Sequence, residues 1–102
     1  MAMHITKDNF DKEVLQSPNR VLIDFYADWC APCRMLAPVI DDISKEVPDV
    51  KICKVNIDEQ PELAQRFRIM SIPTLVVVED GKIIHSALGV QPKQHILDML
   101  AG

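Results

Sequence analysis

The sequence has few cysteines, no long apolar run and no excess of basic residues. Its three cysteines in 102 residues are too few for the disulfide framework of a small secreted domain, and they indicate a reducing compartment. The apolar runs are far shorter than a membrane span, and the first residues lack the pattern of a signal peptide. A net charge of −4 without a basic patch disfavours nucleic-acid binding. We therefore expect a cytoplasmic protein that binds neither membranes nor nucleic acids.

The residues that are present suit one globular domain over positions 1–102. Apolar residues make up 48% of the chain, which is ordinary for a protein with a hydrophobic core. The length fits one domain and leaves no room for a separate substrate domain. Internal repeats, low-complexity segments and linkers are absent from the sequence.

The most informative stretch is a pair of cysteines in the segment Trp29-Cys30-Ala31-Pro32-Cys33. It follows an apolar run at 21–27 that predicts a buried strand, and a helical pattern comes after it. Cys30 would lie at the N-terminus of that helix, where unpaired N–H groups and the helix dipole favour a thiolate. Pro32 suits the first helical turn. The arrangement favours thiol–disulfide exchange, with an exposed Cys30 as the nucleophile and Cys33 as the resolving thiol.

Two other uses suit a cysteine pair of this spacing. A zinc site needs two more ligands, and the chain offers no second paired spacing among Cys53, His4, His85 and His95. A structural disulfide is typical of chains with a higher density of cysteines. We therefore expect no metal. Cys53 has no partner at a useful spacing, so we predict a small buried hydrophobe, with a regulatory thiol as the alternative.

The apolar periodicity predicts four helices and five strands in the order β-α-β-α-β-α-β-β-α. The predicted strands lie at 4–5, 21–27, 50–57, 74–78 and 83–88, and the helices begin near 6, 32, 58 and 92. Thr6 is the predicted N-cap of the first helix, and Pro38 lies inside the second without ending it. The turn Glu79–Lys82 predicts an antiparallel hairpin. These elements indicate an α/β protein with helices on both faces of its sheet.

Asp24 is the one charged residue in the predicted strand at 21–27. Burying a lone carboxylate is costly, so we expect its pKa to be raised. The alternative is a carboxylate turned to solvent at a strand end, which its apolar neighbours disfavour.

Several segments of the chain together resemble the thioredoxin family. The resemblance runs from about residue 5 to the C-terminus, and it rests on the segments 24–33, 35–38, 54–58 and 72–74 together with Gly81 and Gly89. Two positions depart from the family pattern. Ala31 stands where the family usually has glycine, and Tyr26 stands where many members have tryptophan.

The resemblance implies a thioredoxin fold, with a central mixed five-stranded sheet flanked by four helices. It also implies that Asp24 moves the proton of Cys33. It puts Lys54 near Asp24, where a positive charge would favour the carboxylate form. A solvated lysine at a strand edge is the other interpretation of Lys54.

The resemblance also implies a substrate-binding surface around Cys30. Pro73 would follow a cis peptide bond, and Ile72 would offer its backbone to an extended target segment, as in strand addition. The predicted rim of this surface consists of Trp29, Ile72, Pro73, Gly89 and Val90. The residues between the cysteines, Ala31 and Pro32, are expected to tune the redox poise.

The activity implied by the resemblance is reduction of disulfides in target proteins through a reversible Cys30–Cys33 disulfide. It requires no cofactor beyond these cysteines, and it implies a monomer recharged by a thioredoxin reductase. Two alternatives stay open. Ala31 leaves room for an oxidase or isomerase of disulfides. A binding module with incidental thiols is disfavoured because binding alone needs no buried carboxylate such as Asp24.

Overall fold

The computed structural model describes residues 2–102. Its strands are β1 (Met3–His4), β2 (Arg20–Tyr26), β3 (Val50–Asn56), β4 (Thr74–Glu79) and β5 (Lys82–Leu88). Its helices are a π-helix (Asp11–Leu15), α1 (Ala31–Glu46), α2 (Pro61–Arg66) and α3 (Lys93–Ala101). This succession confirms the predicted order of elements. Over the described residues, no helix combines the length and the apolar character needed to cross a membrane.

The five strands form one mixed sheet in the order β1-β3-β2-β4-β5. β3 runs parallel to β1 and β2, whereas β4 runs antiparallel to both β2 and β5. The mixed five-stranded sheet with four helices is therefore confirmed. Because β4 is antiparallel to β2, the start of β4 lies beside the end of β2, with Thr74 opposite Phe25. The cysteine pair follows β2, so this edge of the sheet holds the candidate site.

A hydrophobic core lies on each face of the sheet. Successive side chains of β2 point to opposite faces of the sheet. Ile23 and Phe25 therefore belong to one core, and Leu22 belongs to the other. The rings of Phe10 and Phe67 pack on the first face, and Phe67 lies 5.1 Å from the Phe25 ring between centroids. The second core packs against α1 and α3 through Leu36, Ile40, Ile43, Ile96 and Leu100. Both cores hold β2 rigidly in the centre of the sheet.

The first helix differs from its prediction. Thr6 caps the turn that leads into it, as predicted: the Thr6 Oγ1 accepts a hydrogen bond from the Asp8 N–H at 3.2 Å, and the carboxamide oxygen of Asn9 accepts one from the Thr6 N–H at 2.8 Å. The helix that follows is a five-residue π-helix with no side-chain cap. Its wider turn still buries Phe10 and Val14 against the sheet. The apolar pattern was therefore interpreted correctly, but the docking of these two side chains sets a different helical register.

The predicted hairpin between β4 and β5 is confirmed. Its two central residues, Asp80 and Gly81, have φ angles of 51° and 77°. Positive φ at both positions is typical of the type I′ turn that joins antiparallel strands most tightly. Likewise α1 continues through Pro38, as predicted.

Candidate active site

The cysteine pair lies at the junction of β2 and α1. Cys30 is the N-cap residue of α1, and its Sγ accepts a hydrogen bond from the Cys33 N–H at 3.2 Å. The two residues are joined by a disulfide with a Cα–Cα distance of 5.2 Å, which lies in the ordinary range. After reduction, the same N–H would stabilise a thiolate on Cys30, since hydrogen bonds to the charged form favour it. The local geometry therefore equips Cys30 as a nucleophile.

The expected exposure of Cys30 is wrong for this disulfide-bonded state. Cys30 and Cys33 are each only 4% exposed, and they pack with Ala27, Tyr26 and Ile72. The carbonyl oxygen of Ile72 lies 3.9 Å from the Cys30 Sγ and covers it. The two cysteines thus differ in their neighbours rather than in their exposure: the Cys30 sulfur faces both a backbone N–H and the Ile72 carbonyl.

The loop before β4 faces the disulfide. The Ile72–Pro73 peptide bond is cis, which confirms the expected geometry. The Gly89 N–H donates to the Pro73 carbonyl at 2.8 Å, and Gly89 itself has a φ of 80°, which a residue with a side chain rarely adopts. Within residues 2–102, neither the N–H nor the carbonyl of Ile72 has a backbone hydrogen-bond partner. The backbone of Ile72 is therefore open to a strand from another molecule.

Asp24 is buried in the middle of β2, with only 1% of its surface exposed. Among residues 2–102, its Oδ1 is the one buried side-chain nitrogen or oxygen atom without a hydrogen-bond partner. Burial raises the pKa of Asp24 from its ordinary value of 3.8 to about 6, and the nearby charge of Lys54 opposes that rise. This carboxyl group can therefore gain and lose a proton close to neutral pH.

Lys54 pairs with Asp24 across β3 and β2 in the register of the sheet. Its Nζ lies 4.6 Å from the centroid of the Tyr26 ring, a distance typical of a cation–π contact. Asp24, Lys54, Tyr26 and Cys33 all line one cleft of about 340 Å³. The carboxyl group of Asp24 and the resolving cysteine therefore line the same cleft.

Part of the predicted apolar rim lines a second cleft, next to the loop whose Ile72 carbonyl contacts the Cys30 Sγ. Trp29 is 67% exposed, and its indole N–H donates to Asp58 Oδ2 at 2.8 Å. Trp29 and Ile72 line this cleft together with Ile57, Ile69, Met70 and Ser71. Pro73 and Gly89 lie beside it and hold its loop. Val90 is exposed after Gly89 but does not line the cleft, so the structure brings together only part of the predicted rim.

Sequence reasoning missed Asp58 and Met70. Asp58 lies two residues after the end of β3, and its carboxylate accepts the hydrogen bond of the Trp29 indole. Met70 is 94% exposed in the loop before Ile72. A large apolar residue in a segment otherwise suited to a turn is the signal that would have identified it.

The remaining candidate residues have simpler surroundings. Ala31 and Pro32 are exposed at the first turn of α1. Cys53 is free and fully buried in the first core, and burial raises the pKa of its thiol to about 12, so it is the small buried hydrophobe that we predicted. Within residues 2–102, no three His, Cys, Asp or Glu side chains are grouped so that they would hold a metal ion.

Comparison with known proteins gives one consistent result. A family model described as Thioredoxin matches residues 1–102. A protein of Rickettsia felis named Thioredoxin is 46% identical over 101 residues, which cover 98% of this chain and 96% of the relative. Thioredoxin 1 of Synechococcus elongatus is 45% identical over 98% of this chain and 94% of its own length. A Thioredoxin of Streptomyces clavuligerus is 40% identical over 92% of this chain and 88% of its own length.

Proposed function

Since this chain belongs to the thioredoxin family, we propose that it is a cytoplasmic reductant of protein disulfides whose oxidised form is recharged by a thioredoxin reductase. The dithiol–disulfide oxidoreductase activity follows from the family and from the Cys30–Cys33 pair. The reductase, the absence of any further cofactor, the monomeric state and the cytoplasmic location belong to the proposal. The observation that carries it is the Cys33 N–H directed at the Cys30 Sγ, since it prepares one sulfur for attack.

The reaction proceeds by two exchanges between sulfur atoms. The Cys30 thiolate attacks one sulfur of the target disulfide, forms a mixed disulfide and releases the other target sulfur as a thiolate. Cys33, once deprotonated, attacks the Cys30 Sγ and releases the second target sulfur. Two electrons thereby pass to the target, which becomes a dithiol, while the Cys30–Cys33 disulfide forms. The protons of both cysteines end on the target thiols. A reductase then returns two electrons and two protons to the pair.

Asp24 is the proposed proton acceptor for Cys33 in the second exchange. The shared cleft and the pKa of about 6 support this role, because an ionised carboxylate is present at neutral pH and can take a proton from the thiol. Lys54 acts on Asp24 rather than on the sulfur, and its charge keeps the carboxylate ionised over a wider pH range.

The proposed target-binding surface uses the free backbone of Ile72 and the exposed Trp29. An extended target segment can pair with the open N–H and carbonyl of Ile72 while its cysteine approaches Cys30. Pro73 and Gly89 support that loop, and Val90 extends the apolar edge. Ala31 and Pro32, exposed between the two cysteines, are the proposed determinants of redox poise.

Trapping the mixed disulfide tests this proposal. The Cys33→Ser variant retains the attacking sulfur but cannot complete the second exchange, so it should accumulate covalent adducts with proteins of a cell extract. The adducts should disappear when a small dithiol is added. The Cys30→Ser/Cys33→Ser variant is the matched control and should form none. Adducts that persist in this control would implicate Cys53, and a complete lack of adducts with Cys33→Ser would refute the proposed reduction of protein disulfides.

A further inference from the structure

An open apolar depression, the β5 groove, runs beside the last strand of the sheet. It has a volume of about 300 Å³, and its walls are formed by Met70, Ile83 and Leu88. Each of these side chains is more than half exposed. The buried side chains of Thr74 and Val76 form its floor. Large apolar side chains that stand around a preformed depression mark a binding surface better than scattered apolar residues do.

The β5 groove adjoins the cleft that Trp29 and Ile72 line. Residues 69–71 line both depressions, so no ridge of other elements separates them. Ile72 follows at once, with its carbonyl 3.9 Å from the Cys30 Sγ. The end of β5 is tied to the same loop by the Gly89–Pro73 hydrogen bond. An extended segment advances about 3.3 Å per residue, so a target chain laid along this loop would reach the groove within roughly four positions of its cysteine.

The border of the β5 groove carries a positive charge. Arg68 lines it and is exposed, and its guanidinium takes part in none of the ion pairs or side-chain hydrogen bonds found within residues 2–102. An exposed guanidinium beside an apolar depression complements a carboxylate that lies next to an apolar side chain.

We propose that the β5 groove binds an apolar side chain of the target protein, within about four positions of the target cysteine, and that Arg68 pairs with a neighbouring carboxylate. The proposal rests on the function proposed above and names the class of target segment that the same site prefers. Because the groove adjoins the cleft of Trp29 and Ile72, next to the loop that contacts Cys30, a target segment is favoured over a second copy of this chain as the occupant.

Matched peptide disulfides test the proposal. Each substrate is a symmetric disulfide of a short peptide with one cysteine, and the series carries leucine or serine at each position from four before to four after that cysteine. The second-order rate constant for oxidation of the reduced protein is measured by chromatography after acid quenching. We expect leucine at one or more of these positions to raise the rate constant about fivefold over serine, as burial of part of one side chain would do. An adjacent glutamate should raise it further, and Arg68→Gln should remove that second increase.

Two variants of the same strand separate the groove from general effects. Ile83→Thr/Leu88→Thr removes two walls, and we expect it to abolish the preference for leucine. Ile84→Thr changes an identical residue of β5 that does not line the groove, and we expect it to retain the preference. Circular dichroism confirms that each variant is folded. A small disulfide without a peptide, 2-hydroxyethyl disulfide, should react equally with all of them.

The outcomes distinguish this proposal from the function on which it rests. If peptides are reduced but leucine confers no advantage, or if the advantage survives Ile83→Thr/Leu88→Thr, the β5 groove does not bind targets. If the advantage falls with protein concentration and sedimentation shows a dimer that this double variant loses, a second copy occupies the groove and the proposal is wrong. If no peptide disulfide is reduced by the parent protein, the proposed function itself fails.

Discussion

Replacing Asp24 with asparagine should make the protein more stable at neutral pH and leave it no more stable in acid. The carboxyl group is buried with an unpartnered oxygen, and its pKa is raised from 3.8 to about 6. Well below pH 3.8 it is protonated in both the folded and the unfolded chain, so it contributes no penalty. Well above pH 6 it is ionised in both, and the folded protein bears the full cost of a buried charge.

The size of this effect follows from the pKa difference. At 1.36 kcal/mol for each pKa unit, a rise from 3.8 to about 6 corresponds to about 3 kcal/mol of lost stability in the parent protein above pH 6. The folded state binds the proton more tightly, so the parent loses this stability as pH rises through the window between the two values. The Asp24→Asn variant has no such titration. Its stability relative to the parent should therefore increase by about 3 kcal/mol between pH 3.5 and pH 7.5.

Denaturant melts of the oxidised proteins across that pH range provide the measurement. Any fixed cost of burying the asparagine carboxamide changes the free energy of unfolding of the variant equally at every pH. The pH dependence of the difference in stability between variant and parent therefore reports on the Asp24 carboxyl group alone. Asp41→Asn, which removes an exposed carboxylate of α1, is the control and should show a nearly flat difference. The Asp24→Asn variant should also reduce insulin more slowly, because it lacks the proton acceptor for Cys33. A flat difference for Asp24→Asn would mean that its carboxylate is solvated or paired, and the argument would be wrong.

Three further predictions concern Lys54, Cys30 and Cys53. Lys54→Met removes the charge that opposes the effect of burial on Asp24, so the pKa of Asp24 should rise above about 6 and the protein should be less stable than the parent at pH 8. An unchanged pH dependence in the same melts would refute this. In the reduced protein, alkylation of Cys30 by iodoacetamide should reach half its maximal rate below pH 8.5, about the value for a free thiol, and a midpoint at or above it would argue against a prepared nucleophile. In the folded Cys30→Ser/Cys33→Ser protein, Cys53 should not react with a disulfide reagent, because its thiol is buried and has a pKa of about 12. It should react after denaturation. Reaction in the folded state would contradict the assignment of Cys53 to the core.

The parts of the site that sequence analysis predicted correctly are those determined by neighbouring residues. The position of Cys30 at a strand–helix junction follows from the apolar run before it and the periodicity after it. The I′ turn at Asp80 and Gly81 follows from the chemistry of the turn itself. The burial of Asp24 follows from apolar neighbours on both sides, because a strand that is apolar on both faces lies inside a sheet.

The parts that it could not predict depend on residues distant in the chain. Cys30 is covered by Ile72, which reaches it only when β4 pairs with β2. The bond between Trp29 and Asp58 likewise joins segments that sequence spacing does not relate. The π-helix at Asp11–Leu15 is set by docking against the sheet rather than by local propensity. Tertiary contacts decide these features, and periodicity does not report on them.

The antiparallel pairing of β4 with β2 has a consequence for the nascent chain. A chain that has left the ribosome only as far as β3 already contains both redox cysteines, but it lacks Ile72 and the strand that holds it. Such a chain has a dithiol without a docking surface, and Asp24 lacks its β4 neighbour Leu75. The docking surface therefore forms only after β4 has been synthesised and has paired with β2. Because pairing between distant segments is slow, the dithiol exists before the surface that gives it selectivity.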